Sequence, residues 1–409
     1  MTRRRVAWCA LLVVLGGCAS ASGMGYLLRA GWSEARILLG REPIAELLAR
    51  PDLQPDLRER LALTLAIRTF AADRLRLHVG DSYKTFSKVD RDATVWVLSA
   101  ARRDRLAAHT WWYPLVGRLP YRGFFDRGAA DAAARRLAGQ GLDVEVRPAV
   151  AFSTLGWFAD PLLSTAAEGS APEVAETLIH ELFHATLYVP GAASFNESAA
   201  TFAGHRGAIA FFCGGPGDDG ARCAEARREW DRTRTRGRIL GRFADRLRRL
   251  YAGRAPAAER ERIRARLAVR AARTLTARSV GREAEVVPPN NARLLGRLLY
   301  LTDLDAFDRL APTDDTLGGA LQALVAGARE TRDPFAAVAA LASRSQARYS
   351  APACPKPGSR PASPPASQST ACSVGSPAGC GCSDTTSPTA LISAAGGSSP
   401  APAAKAASS

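Results

Sequence analysis

Residues 176–184 read Glu-Thr-Leu-Ile-His-Glu-Leu-Phe-His, which places a His-Glu-x-x-His motif at His180, Glu181 and His184. On a helix, positions four apart stand on the same face, so both histidines can present ring nitrogens to one ion. Glu181 follows on the same flank, where its carboxylate can reach a water on that ion. The motif predicts a catalytic zinc helix, and the alternative is a pair of histidines that only pack.

Signals at both ends support this helix. Ser170 and Glu173 have the spacing of a capping box, and Pro172 is tolerated in a first helical turn. Val189-Pro190-Gly191 would end the helix before the chain turns back.

A catalytic zinc site needs a third protein ligand and an open position for water. The segment Asn196-Glu197-Ser198 follows a turn-rich loop, so a returning helix would bring Glu197 to the same ion as the histidines. Ser194 would cap that helix, and the alternative role of Glu197 is a helix-capping carboxylate. His205 is the rival ligand, and we expect it to lie in the second shell or at the surface.

This ligand set predicts hydrolysis at a single zinc ion. The ion would lower the pKa of its water and polarise the scissile carbonyl, and Glu181 would act as general base and then acid. Tyr188, Tyr300 and His205 are the candidate donors to the oxyanion, and the sequence does not rank them.

Several stretches occur in the order of a known family: Trp111-Trp112-Tyr113-Pro114, Gly117–Phe125, Ser153–Pro161, the His-Glu-x-x-His motif, Phe195-Asn196-Glu197-Ser198 and Asn290-Asn291-Ala292. In these stretches the chain, over roughly residues 25–350, resembles the bacterial predicted aminopeptidase family of zinc lipoproteins. The resemblance implies a gluzincin-like site in which His180, His184 and Glu197 bind zinc, Glu181 is catalytic and peptides are the substrate.

The chain departs from well-known gluzincins at two points. It has no Gly-x-Met-Glu-Asn segment of the kind that binds a free α-amine, and Thr201 stands where the thermolysin-like pattern has an aspartate. Zinc endopeptidase activity or hydrolysis of a cell-wall amide is therefore the alternative function. An alternative of another class is a non-catalytic envelope lipoprotein that uses the helices as a binding scaffold.

The segment Ser153–Asp160 predicts a substrate-binding strand beside the zinc helix. An edge strand can pair with an extended peptide, and Gly156, Trp157 and Phe158 would then line a side-chain pocket. Core packing of the two aromatic residues is the alternative.

The first residues read as an export signal. Three arginines, Arg3–Arg5, precede an apolar run that is too short to span a bilayer, and Leu15-Gly16-Gly17-Cys18 resembles a bacterial lipobox. We predict a signal peptide over residues 1–17 and a lipidated Cys18, with an anchor and linker over residues 18–41. The protein would then lie in the bacterial cell envelope, on the outer membrane facing the periplasm.

The formal net charge of +16 does not by itself indicate nucleic-acid binding. The arginines lie in helical stretches with acids between them, which is typical of solvated helix faces, and an export signal argues against a nucleic-acid partner. An oxidising compartment allows disulfides, and Cys213 and Cys223 flank a turn-rich loop that they could close.

The pattern along the chain predicts an α+β fold, with a small mixed β-sheet followed by a mostly helical half that carries the zinc helix. The metallopeptidase domain would cover residues 42–350, with the sheet at about 80–160 and the helices at about 170–350. Predicted strands are Ser82–Val89, Thr94–Ala100, Trp111–Val116 and Asp143–Ser153, with a helix at Asp126–Gly139. Residues 351–409 are rich in Pro, Ser and Ala and are predicted to be a disordered tail.

Overall fold

A computed structural model describes residues 40–89, 95–113, 117–124, 126–148, 160–278 and 287–350. All of them lie within the first of the two units into which the chain divides, Met1–Pro352, whereas the second, Ala353–Ser409, lies outside the described residues. The predicted signal peptide, Cys18 and the predicted tail are also outside them.

The described chain begins with a short strand and two helices. Strand β1 is Arg41–Pro43, helix α1 is Ile44–Ala49 and helix α2 is Pro55–Asp73. The prolines explain the break, because Pro55 has no N–H to donate and is tolerated only in a first helical turn. Pro51 lies in the loop between the two helices.

Seven further strands follow, and they form three small sheets among the described residues. Their bounds are β2 Thr85–Ser87, β3 Trp96–Arg102, β4 Trp111–Tyr113, β5 Gly117–Leu119, β6 Tyr121–Phe124, β7 Leu142–Pro148 and β8 Leu162–Leu163. The first sheet has the order β1-β2-β8 and is mixed, the second has the order β6-β3-β7 and is antiparallel, and β4 pairs with β5. The small mixed sheet expected from the sequence is divided into three sheets here, because strands of two or three residues carry no periodicity that reveals their partners.

Helix α3, Arg127–Gly139, packs on the β6-β3-β7 sheet. The side chain of Asp126 accepts a hydrogen bond from Ala129 N–H at 2.7 Å and so caps the helix, which confirms the predicted helix at this position. Leu98 and Phe124 from the sheet and Ala130 from the helix share a small apolar cluster.

The remaining described residues are mostly helical. The helices are α4 Ala171–Thr186, α5 Ala193–Phe212, α6 Gly220–Ala252, α7 Ala257–Ala277, α8 Asn291–Leu301, α9 Leu304–Asp308, α10 Leu317–Glu330 and α11 Pro334–Ser350, with a 3-10 turn at Asp314–Thr316. This arrangement confirms the α+β class. Helices α4 and α5 are buried along most of their lengths in the main core, which also takes in the apolar face of α2.

A disulfide joins Cys213 and Cys223 across the loop between α5 and α6. It closes the turn-rich segment that the sequence analysis singled out. Within the described ranges, no helix is both long and apolar enough to cross a membrane.

Candidate metal centre

Helix α4 carries the His-Glu-x-x-His motif, and its sequence fixes its start, its end and its buried face. The N–H of Ser170 donates to Glu173 Oε2 at 2.9 Å, which is the half of the capping box that the side chain of Glu173 supplies. At the other end Leu187 N–H donates to Phe183 O at 2.8 Å. His180 and His184 therefore lie one turn apart on a helix that is fixed in place by its buried leucines and phenylalanine.

The side chain of Asn196 closes the loop that reverses the chain between α4 and α5. Its Oδ1 accepts from Val189 N–H and its Nδ2 donates to Val189 O, both at 2.9 Å. These two bonds orient the first turn of α5, where Glu197 is the next residue. This role was not predicted from the sequence, although an Asn a few residues after a Pro-Gly turn is a signal for a local side-chain to backbone bond.

Ser194 does not cap α5, contrary to expectation. The N-cap is Ala192, and the hydroxyl of Ser194 donates to Thr302 Oγ1 at 3.2 Å, at the end of α8. Ser198 also binds that end, since its hydroxyl donates to Leu299 O at 2.9 Å. The first turn of α5 is thus held to α8 by hydroxyl groups, and Glu197 is not part of a capping box.

Two glycines of α5 let it approach α4 closely. A Cβ at Gly204 would lie 2.6 Å from Glu176 O and 3.2 Å from His180 Cβ, and a Cβ at Gly207 would lie 2.8 Å from Ile179 Cδ1. Real Cβ atoms do not tolerate the shortest of these contacts. The spacing of the two helices that carry the candidate ligands therefore depends on the absence of side chains at these positions.

The donor atoms of His180, His184 and Glu197 come together between α4 and α5. The two Nε2 atoms are 3.2 Å apart, and Glu197 Oε2 is 3.4 Å from that of His180 and 3.5 Å from that of His184. Ligands at about 2.0–2.2 Å from a tetrahedral zinc ion are separated by about 3.3–3.6 Å. The observed separations match this geometry closely, so the three residues fit one zinc ion.

Charge and burial are consistent with a group of metal ligands. Burial would raise the pKa of Glu197, but hydrogen bonds to His180 and His184 hold it well below its ordinary value. Burial would lower the pKa of His184, but the hydrogen bond and charge of Glu197 raise it overall. The carboxylate thus favours a positive charge between the imidazoles, which a divalent cation supplies.

Glu181 is half-buried on α4 next to His180. Its negative charge acts on several groups around the centre. Burial of Tyr83 and then the charge of Glu181 raise the pKa of Tyr83, and the same charge also raises the pKa values of His184 and Tyr300. Its negative charge therefore acts on His184, one of the three donor residues.

His205 is buried and lies apart from the three donor atoms. Its Nε2 is 3.1 Å from Glu176 Oε1, and its ring packs against Trp230 with centroids 5.2 Å apart. It does not belong to the group that could hold a metal among the described residues, which is His180, His184 and Glu197. We expected His205 in the second shell or at the surface, and the structure places it in the buried interior.

Tyr300, one of the candidate oxyanion donors, lies beside His180. Its ring stacks beside that of His180, with centroids 6.2 Å apart and planes at 28°. The charge of Glu197, followed by burial, raises the pKa of Tyr300, so its hydroxyl keeps its proton and can donate it in a hydrogen bond. For Tyr188 it is burial and then the charge of Glu197 that raise the pKa.

The second ring nitrogen of His184, Nδ1, has no hydrogen-bond partner in the part of the chain that the structure describes. This atom is buried, and Thr201 is buried on α5. Gly156, Trp157 and Phe158, the predicted substrate-binding residues, lie outside the described residues, as does Cys18.

The chain matches one protein family, described as "Putative aminopeptidase", over residues 25–348. No curated protein matches the chain, and no solved structure matches it either.

Proposed function

The chain belongs to this aminopeptidase family, which suggests peptidase activity, and from that premise we propose that it is a zinc-dependent peptidase of the gluzincin type. The observation that carries the proposal is the set of donor-atom separations, 3.2, 3.4 and 3.5 Å, between His180, His184 and Glu197. Two imidazoles and one carboxylate are a donor set that catalytic zinc sites use, with a fourth position left for water or substrate.

When bound, zinc supplies Lewis-acid chemistry, because it lowers the pKa of its water toward neutrality and polarises the carbonyl of the scissile bond. The protein supplies the rest. The carboxylate of Glu197 would neutralise part of the positive charge of the ion. The hydrogen bonds of Asn196 to Val189 hold the start of α5, and with it Glu197, in place.

Glu181 is the proposed general base and acid. Its carboxylate takes a proton from the attacking water and delivers it to the nitrogen of the leaving amine, so that the C–N bond breaks as a neutral amine departs. Tyr300 is the proposed oxyanion donor, because its protonated hydroxyl belongs to the residue stacked beside His180.

The test compares the wild type with Glu181→Gln. We expect the variant to bind zinc as the wild type does and to lose about 10²–10⁴-fold in peptide hydrolysis, because only the proton transfer is removed. Zinc content is measured by atomic emission, and cleavage is measured with a library of short peptides separated by mass spectrometry. Equal activity of the two proteins would remove Glu181 from the mechanism, and a zinc-loaded wild type that cleaves no peptide would contradict the proposal.

We also propose that the protein is anchored in the bacterial cell envelope through a lipid on Cys18, on the outer membrane facing the periplasm. The lipidation proposal is supported by the lipobox-like sequence Leu15-Gly16-Gly17-Cys18, which follows a short apolar run. Cys18→Ser should move the protein from the membrane fraction to the soluble fraction of the periplasm. Continued retention in the membrane fraction would count against lipidation.

A further inference from the structure

Strand β7 lies along helix α8 with a row of charged side chains, Asp143, Glu145 and Arg147, which we call the β7 row. Side chains two positions apart on a strand point to the same face. Asp143 Oδ2 accepts from Asn291 N–H at 2.9 Å at the start of α8, and Glu145 Oε1 accepts from Arg293 Nε at 2.9 Å, two residues further along. The row therefore follows α8 from its first turn toward its end.

The first two members of the β7 row have charged partners. Asp143 forms an ion pair with Arg264, and Glu145 pairs with Arg293 and lies 3.8 Å from Arg297. Glu145 thus already faces two guanidinium groups.

Arg147 has no such partner among the described residues. No carboxylate there comes within ion-pair distance of it, and its Nε is buried without a hydrogen-bond acceptor. Residues 149–159, which follow it in the sequence, contain no Asp or Glu. A half-buried guanidinium with no carboxylate beside it among the described residues loses hydration that no ion pair restores, so its position favours the arrival of an anionic ligand.

Arg147 borders the candidate metal centre through Tyr300, near the end of α8. Glu145 reaches Arg297 of α8, so Arg147, two residues further along β7, lies toward Tyr300, three residues after Arg297. The charge of Arg147 opposes the rise in the pKa of that tyrosine. The ring of Tyr300 stacks beside His180. The charge of Arg147 also lowers the pKa of Tyr121, which burial and the charge of Glu197 raise. The charge of Arg147 therefore acts on Tyr300, whose ring lies beside His180.

We propose that Arg147 is a substrate-binding residue that receives a carboxylate of a short peptide whose scissile carbonyl lies at His180, His184 and Glu197. A guanidinium and a carboxylate match as a two-bond fork, and the pair gains most where water is partly excluded. The carboxylate belongs either to the C-terminus of the peptide or to an acidic side chain. Because this recognition serves hydrolysis at the metal centre, it rests on the proposed function.

The test measures binding without turnover, in zinc-loaded Glu181→Gln protein. Three peptides are titrated in a calorimeter: Ala-Ala-Ala, its C-terminal amide, and the C-terminal amide of Ala-Glu-Ala. We expect at least one of the two peptides with a carboxylate to bind about tenfold or more tightly than the amide of Ala-Ala-Ala. Tighter binding of Ala-Ala-Ala than of its amide shows that Arg147 receives the C-terminal carboxylate. Tighter binding of the Ala-Glu-Ala amide shows that it receives the glutamate side chain.

Arg147→Gln, added to Glu181→Gln, should abolish the preference and leave binding of the Ala-Ala-Ala amide within about twofold. Arg122→Gln is the matched control, because Arg122 lies on β6 of the same sheet with its guanidinium over the Phe124 ring, 5.3 Å from the centroid. It should keep the preference. Circular dichroism and zinc content show whether each variant is folded.

Equal binding of all three peptides to the Glu181→Gln protein would overturn the inference whatever the stability of Arg147→Gln. A preference that survives Arg147→Gln would also overturn it. If Arg147→Gln weakens binding of Ala-Ala-Ala and of its amide equally, Arg147 acts on the oxyanion or on the structure. That result would also overturn the inference. If the preference depends on Arg147 but wild-type protein cleaves no peptide, the peptidase proposal fails and the carboxylate site stands.

Discussion

The three donor residues of the candidate centre differ in exposure. The side chain of His184 is 5% exposed, whereas those of His180 and Glu197 are 14% and 15% exposed. His184 thus forms the inner wall of the centre, and solvent or substrate reaches it from the side of His180 and Glu197. The open position of a catalytic zinc ion belongs on that side.

Glu197→Gln tests the third ligand. The amide keeps the size of the side chain but removes its negative charge, so we expect zinc affinity to fall by at least about a hundredfold while the helix pair remains folded. Competition with a fluorescent chelator measures the affinity. Wild-type affinity in this variant would mean that another group completes the site.

Sequence predicted the residues of the centre unequally well. His180 and His184 follow from helical spacing within one segment. Glu197 required the guess that the next helix returns alongside, and the structure places its carboxylate against both imidazoles. Arg147 could not be found, because its position depends on the pairing of β7 with β3 and on the packing of α8, which are contacts between distant segments.

At the scale of elements, the pair α4 and α5 depends on close contact at Gly204. Gly204→Ala places a Cβ 2.6 Å from Glu176 O and 3.2 Å from His180 Cβ, so the helices must separate. We expect a loss of about 1–3 kcal/mol in the free energy of unfolding and weaker zinc binding, because Glu197 moves away from His180 with its helix. Urea denaturation and the chelator assay measure the two effects.

Gly241→Ala is the matched control, since Gly241 lies within α6 and a Cβ there meets nothing within 4 Å. Alanine favours a helix over glycine by about 0.5–1 kcal/mol, so this variant should be as stable as the wild type or more so. A Gly204→Ala protein that is equally stable would show that the helices do not need this contact.

The sequence predicted helices better than sheets for a physical reason. A helix such as Arg127–Gly139 makes its hydrogen bonds within one segment and shows its cap and its apolar face locally. The strands Arg41–Pro43 and Leu162–Leu163 are too short for a pattern, and β2 joins them across distant parts of the chain. That pairing is a property of the tertiary fold.

At the scale of the molecule, one zinc ion would join α4 to α5 and so stabilise the core that the two helices share with α2. An ion that binds only the folded state stabilises it by about 4 kcal/mol when present at about a thousand times its dissociation constant. We expect zinc to raise the melting temperature of the metal-free protein by about 5–10 °C, as measured by calorimetry. Glu197→Gln should show a much smaller rise, and an equal rise in both proteins would place the ion elsewhere.

Anomalous diffraction from crystals of the zinc-loaded protein, recorded on both sides of the zinc absorption edge, measures the position of the ion directly. The expected result is a single strong peak within about 2.0–2.2 Å of His180 Nε2, His184 Nε2 and a Glu197 oxygen. A zinc peak elsewhere, or a Glu197 carboxylate turned away from an ion bound by the two histidines, would contradict the account.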